Sequence, residues 1–265
     1  MEFIIESALK QNKETQFEEG MVGQANIKVI GVGGAGGNAA SWLYKKGIKG
    51  AEVICMNTDK QHLDIHEADR KILIGRDLTK GLGAGGYPRV GMESAKEASS
   101  EIKEALKDTD MVFICAGMGG GTGTGAAPVV AKIAKEMGAI VIGTVTMPFN
   151  LERARVDKAE FGLQELRQNS DSVIVIDNER LVAIAGNLPI QQAFAVANEL
   201  IATMIKGIVE TIAVPSLVNL DYADVKAIMS DCGVCAIGVG ESDSENRIEE
   251  ATRRALTNPL LDVSY

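Results

Sequence analysis

Seven consecutive residues, Gly119-Gly-Gly-Thr-Gly-Thr-Gly125, have the composition of a backbone cradle for an anion. Five glycines remove the Cβ atoms that would hold a ligand away from the main chain. Thr122 and Thr124 add hydroxyls that can donate to phosphate oxygens. The run follows a strand-like stretch, Met111-Val-Phe-Ile-Cys-Ala116, and precedes a helix-like one, Ala126-Ala-Pro-Val-Val-Ala-Lys-Ile-Ala134. A helix starting here offers free N–H groups and a positive dipole end, which together favour phosphate. The Walker pattern G-x-x-x-x-G-K-[ST] occurs nowhere, so this is not an ordinary P-loop NTPase.

A second glycine segment, Gly31-Val-Gly-Gly-Ala-Gly-Gly-Asn38, contains G-x-G-x-x-G at Gly31, Gly33 and Gly36. Alone it suggests a Rossmann dinucleotide site and an NAD-dependent oxidoreductase. Such a site wants an acidic residue closing its second strand. The chain offers Asn57, with Asp59 two residues later, and a second, richer glycine loop has no role there. A third constellation is acidic: in Asn219-Leu-Asp-Tyr-Ala-Asp224, the carboxylates of Asp221 and Asp224 share one side of a helix's first turn. Helix capping accounts for that spacing. Polarisation of an attacking water does so equally, since γ-phosphate hydrolysis needs positioning more than covalent chemistry.

The elements that must carry these groups alternate. Strand candidates are 27–31, 52–57, 71–74, 111–116, 140–146 and 172–177, with helical stretches at 37–46, 91–106, 126–137 and 155–168. Strands nearly continuous in Val and Ile indicate an α/β fold with a parallel sheet covered on both faces. Ligands of such sheets gather beyond the carboxyl ends of the strands. Pro189 and Pro215 bracket an apolar-faced helix of about 24 residues, hence roughly 36 Å long. Beyond it lie a helix (221–230), one strand (234–239) and another helix (246–256). One strand makes no sheet. The division expected is therefore an N-terminal extension (1–25), a nucleotide-binding domain (26–188), a central helix (189–214) and a partial C-terminal domain (215–265).

Of 265 residues, 46% are apolar, enough for a sizeable core, and the net charge of −9 argues against a nucleic-acid partner. The apolar runs are strand-length, so no membrane insertion is expected. The acidic N-terminus has no signal-peptide pattern, which points to the cytoplasm. Cys55 and Cys115 fall in apolar strands and read as core. Cys232-Gly-Val-Cys235 lacks the second pair a zinc site needs. His62 and His66, at helical i, i+4 spacing, read as a solvated helix face.

With its flanks, the segment from Ala116 to Val130 resembles the tubulin superfamily, and within it the FtsZ family of prokaryotic cell-division GTPases. The resemblance runs from about Asn26 to the C-terminus. It implies a tubulin/FtsZ-like GTPase domain with a Rossmann-like parallel sheet, a long central helix and a partial second α/β domain. It implies further that GTP or GDP, with Mg2+, binds through Gly34, Ala35, Gly36, Gly37 and Asn38 of a first phosphate loop. Gly119, Gly120, Gly121, Thr122, Gly123, Thr124 and Gly125 would form the signature loop. Asp59 in Asn57-Thr-Asp59 would lie near phosphate and magnesium, and Gly85 in Gly83-Ala-Gly-Gly86 would sense the γ-phosphate. Pro148-Phe-Asn-Leu-Glu152 is similar to the family's ribose-binding stretch. It implies sugar contact by Glu152 and nucleotide contact by Arg155, with Arg153 the competitor because the stretch is one residue short. Asn178 would lie near the base, Phe194 would stack on guanine and Asn198 would read its edge. Asn219, Asp221 and Asp224 match the family's catalytic loop.

Geometry adds an expectation of its own. If Asn198 holds the base, the helix runs about 15 residues further to the acidic loop, roughly 20–25 Å away. The carboxylates would then serve the nucleotide of another subunit stacked head to tail, and repetition of that contact gives a filament. The expected function is a GTP-hydrolysing protein that polymerises into the division ring, with division-ring proteins as further partners. The alternative is a nucleotide-binding tubulin-like scaffold with little hydrolysis.

Overall fold

The computed structural model describes residues 25–180, 189–214, 222–229, 233–234, 238, 240 and 242–256. Asn219, Asp221, Cys232 and Cys235 lie outside the described residues, as does the stretch 1–24.

Strands β1 (Ile27–Val32), β2 (Ala51–Asn57), β3 (Arg70–Leu73), β4 (Met111–Gly117), β5 (Ile140–Met147), β6 (Ser172–Asp177) and β7 (Gly233–Val234) form one sheet. Its order is β3-β2-β1-β4-β5-β6-β7, and every pairing is parallel. Apolar side chains alternate into two cores. On one face Ile30, Ile54, Val112 and Ile114 pack with Ala95, Ile102, Val130 and Leu166 from helices. On the other, Val29, Phe113, Ile142 and Ile174 meet Leu43, Ile201, Ile205 and Val209. Burial of both faces is why these strands are nearly continuous in apolar residues. Cys55 and Cys115 flank Gly31 in the register, and burial pushes their thiols up to about 11 and about 12.

The helices are α1 (Gly33–Lys45), α2 (Lys60–Ile65), α3 (Arg76–Thr79), α4 (Pro88–Glu97), α5 (Ser99–Ala105), α6 (Thr122–Glu136), α7 (Val156–Asn169), α8 (Ile190–Ala213), α9 (Tyr222–Met229) and α10 (Arg247–Leu256). The single helix expected over 91–106 breaks at Ala98. Both α1 and α6 begin four residues earlier than periodicity predicts, inside the glycine runs. Glycine costs helix stability, but here contact outweighs propensity. A Cβ on Gly36 would collide with the Cys115 carbonyl, and one on Gly33 would sit 2.8 Å from the Gly123 nitrogen. Only glycine lets the two helix starts close on β4 and on each other.

The 24-residue helix α8 fills the span between the two prolines, as expected. It is held to α1 by polar contacts: the Trp42 indole donates to Glu199 at 2.8 Å, and Lys46 pairs with Glu199. Strand β7, expected as an isolated strand of a second unit, instead extends the main sheet through Ser172↔Gly233 and Val173↔Val234. Helix α9 docks at the same margin. The Tyr222 hydroxyl donates to the Asp110 carbonyl (2.9 Å), and Ser172 donates to the Met229 carbonyl (2.8 Å). Asp110 precedes β4 and Ser172 opens β6, so α9 lies at the amino ends of the strands. Among the described residues no helix is long and apolar enough to cross a membrane.

Gly125 is buried in α6 with the Pro88 carbonyl of α4 in the space its Cβ would need. Gly125→Val is therefore expected to lower unfolding stability by about 3 kcal/mol, at the upper end of overpacking costs. Gly120→Ala, with nothing within 4 Å of an added Cβ, should stay within about 0.5 kcal/mol of wild type. Urea denaturation of the two variants measures both.

Candidate functional site

A cavity of about 450 Å³ opens beyond the carboxyl ends of the central strands, within the size range of small-molecule sites. At one end the first two turns of α1 supply Gly34, Ala35, Gly36 and Asn38, and the β4–α6 turn with the start of α6 supplies Gly120, Gly121, Thr122 and Gly123. Two helix N-termini thus point free N–H groups and two positive dipole ends at one region. The Thr122 hydroxyl lies 2.7 Å from that of Thr58, so the Asn57-Thr-Asp59 segment braces this turn. An anion is the ligand that such an end favours.

At the other end stand Glu152, Arg155, Asn178, Phe194 and Asn198. Phe194 is 42% exposed at the first turns of α8, its ring 5.8 Å from that of Phe149. An aromatic face beside the amides of Asn198 and Asn178 suits a flat heterocycle with hydrogen-bonding edges. Arg155 donates to Glu152 Oε2 at 2.7 Å, and Glu152 Oε1 accepts from the Phe149 backbone at 3.1 Å. Of the two competing arginines, Arg155 lines the cavity, whereas Arg153 is exposed outside it with a φ of 21°.

Several expected contacts lie elsewhere. Thr124 is buried, and its hydroxyl accepts from the Gly119 N–H at 2.9 Å, a strut within the loop and not a wall of the cavity. Gly119, at φ 93°, backs onto Arg155, and Gly125 packs against α4. Gly37 faces away, against the His66 ring. Gly85 belongs to a loop whose Ala84 and Gly86 abut Gly121, one layer behind the cavity. Asp59 caps α2 by accepting from the His62 N–H at 3.0 Å. Among the described residues no cluster of His, Cys, Asp or Glu could hold a metal. These side chains do not by themselves make a magnesium site. Asp224 is exposed on α9 and lines a different cavity, against the far half of α8.

Sequence reading missed the two histidines and two threonines. His62 lines the cavity beside Gly34, and His66 is 3% exposed with Nε2 3.0 Å from Asn38 Oδ1. Their rings meet edge to face, 4.6 Å apart, so the expected solvated face is an internal one. Their i, i+4 spacing carried no sign of this, because the partner surface is α1. Thr144 and Thr146 line the cavity from β5. Their alternation in an otherwise apolar strand was a legible signal.

Burial, then the neighbouring charges of His62 and Lys71, holds the His66 pKa at about 4, below its ordinary 6.5. Between those values the unfolded chain binds more protons, so stability falls as pH drops from 6.5 through 4. His66→Gln should flatten the part of the stability-versus-pH curve between those limits. Denaturant midpoints of both proteins across that window measure the difference.

A family model described as the GTPase domain of the Tubulin/FtsZ family matches residues 26–186. The chain is 54% identical over 265 residues to cell division protein FtsZ 2 of Methanocaldococcus jannaschii, covering 99% of this chain and 70% of that one. It is 55% identical over 243 residues to FtsZ 2 of Halobacterium salinarum, covering 92% of this chain and 62% of the relative. An empty FtsZ dimer from M. jannaschii superposes with a TM-score of 0.87 at 49% identity, over 97% of this chain and 74% of that one. A GTPγS-bound protofilament of CetZ2 from Haloferax volcanii gives 0.74 at 26% identity, over 87% and 72%. The two glycine-started helices, the cavity between them and these likenesses have one account: the chain belongs to the Tubulin/FtsZ family.

Proposed function

We propose that the chain binds and hydrolyses GTP and polymerises head to tail into filaments of a division ring in the cytoplasm. The observation that carries this reading is the cavity, anion-binding at the paired starts of α1 and α6 and base-binding at Phe194 and Asn198. In this assignment the N–H groups of Gly34–Gly36 and Gly120–Gly123 hold the phosphates. Glu152 and Arg155 attend the ribose side. Phe194 stacks on guanine while Asn198 and Asn178 pair with its edge. Magnesium, if the phosphates bring it, would be held mainly by their oxygens and water, as that ion prefers.

Hydrolysis is assigned to Asn219, Asp221 and Asp224 of a neighbouring subunit, with division-ring proteins as further partners. Support comes from the placement of α9. Asp224 follows Tyr222, which is anchored at the amino end of β4, whereas the phosphate turn leaves its carboxyl end. Seven strand residues separate the two, roughly 20 Å. A carboxylate at that end polarises a water only on the nucleotide of the next subunit. The likeness to a CetZ2 protofilament supports stacking of this kind.

Sedimentation with GTP against GDP, with phosphate release followed in parallel, tests the assignment. The expected result is GTP-dependent pelleting and turnover per molecule that rises with protein concentration. Asp224→Ala should bind GTP within about twofold of wild type and hydrolyse it at least tenfold more slowly. Turnover independent of dilution would refute catalysis between subunits, and pelleting without phosphate release would favour the scaffold alternative. At the base end, ATP should compete with GTP on the order of 100-fold less well, because buried groups matched to guanine are left unpaired by adenine.

A further inference from the structure

The segment after α2 lies under the second and third turns of α1. The Glu67 N–H donates to Ser41 Oγ at 2.8 Å, and His66 Nε2 meets Asn38 Oδ1 at 3.0 Å. The imidazole occupies the space that a side chain on Gly37 would fill, with Nδ1 2.7 Å from the position of that absent Cβ. His66 Nδ1 is buried without a partner among the described residues. No other hydrogen bond to a described residue holds the Asn38 amide, which faces the cavity.

A neutral imidazole has one N–H and two places to put it. On Nδ1 the proton would be a buried donor with no acceptor. Nε2 would then be an acceptor, obliging Asn38 to turn its NH2 inward and its carbonyl oxygen towards the anion end of the cavity. On Nε2 the proton meets Asn38 Oδ1, and only a lone pair goes unpaired, the cheaper of the two defects.

We propose that His66 is a positioning residue: its Nε2–H fixes the Asn38 side chain with the amide NH2 presented to the phosphates of the bound nucleotide. The role rests on the nucleotide reading above. His66 touches no ligand itself, and acts by settling which end of a reversible amide faces the anion. Its depressed pKa keeps it neutral throughout the range in which a nucleotide site must work.

A double-mutant cycle on GDP affinity, measured by calorimetry on the full chain, tests this. His66→Leu should weaken GDP about tenfold, and His66→Gln, which keeps an amide donor at similar reach, should recover to within about threefold. In the Asn38→Ala background His66→Leu should change affinity less than twofold. An equal loss in both backgrounds would show that the ring only packs, and would overturn the proposal. Should His66→Leu fail to fold, the 15N shifts of histidine-labelled wild type decide, with two histidines to assign. A proton on Nε2 and a bare Nδ1 is the expected state, and a proton on Nδ1 overturns it. Absence of GDP binding by wild type would overturn the nucleotide reading itself, and this role with it.

Discussion

The cavity exists because α1 and α6 start closer to β4, and to each other, than any side chain permits. A Cβ on Gly31 would meet the Gly36 carbonyl, one on Gly36 the Cys115 carbonyl, and one on Gly123 the Gly117 carbonyl. These approaches bring two sets of unpaired helix N–H groups to one point, which an anion can satisfy. The helix propensity lost to the glycines and threonines of these first turns is offset by the apolar faces further along. In α1 those are Ala39, Ala40 and Leu43, and in α6 Val130, Ala131 and Ala134, all buried. Stability is gained in the body of each helix and spent at its mouth.

The sheet then separates two regions by its own length. The glycine-lined cavity and helix α9, which carries Asp224, lie at opposite ends of the same strands, joined by a helix that contacts both regions. α8 begins beside Phe194 and, at its other half, forms a wall of the cavity that includes Asp224. Hydrolysis divided as proposed would be incomplete in one copy of the chain, and the division would follow from sheet geometry before any catalytic residue is considered.

Strands and long helices were legible because their signals are local. Met111–Ala116 is apolar throughout, and the run between Pro189 and Pro215 keeps one helical face over its whole length. The glycine runs were legible as segments of close backbone approach, but their conformation was not: they read as loops and are largely helix turns, since what decides them is contact with β4. Gly125 and Thr124 looked alike to neighbouring cradle residues, yet one faces α4 and the other ties the loop to itself. The pairing of β7 with β6 and the burial of His66 depend on residues distant in sequence, and no periodicity encodes them.

Trp42 is the chain's single tryptophan, and it stands at the junction between α1 and α8 with its indole N–H on Glu199. Indole emission responds to nearby carboxylates and to water. The ring is 38% exposed, so both influences reach it. The junction couples α1, which lines one end of the cavity, to α8, which lines the other. The protein therefore contains a native optical reporter at the contact between these two helices, where a shift of one against the other would register as a change in emission without any label.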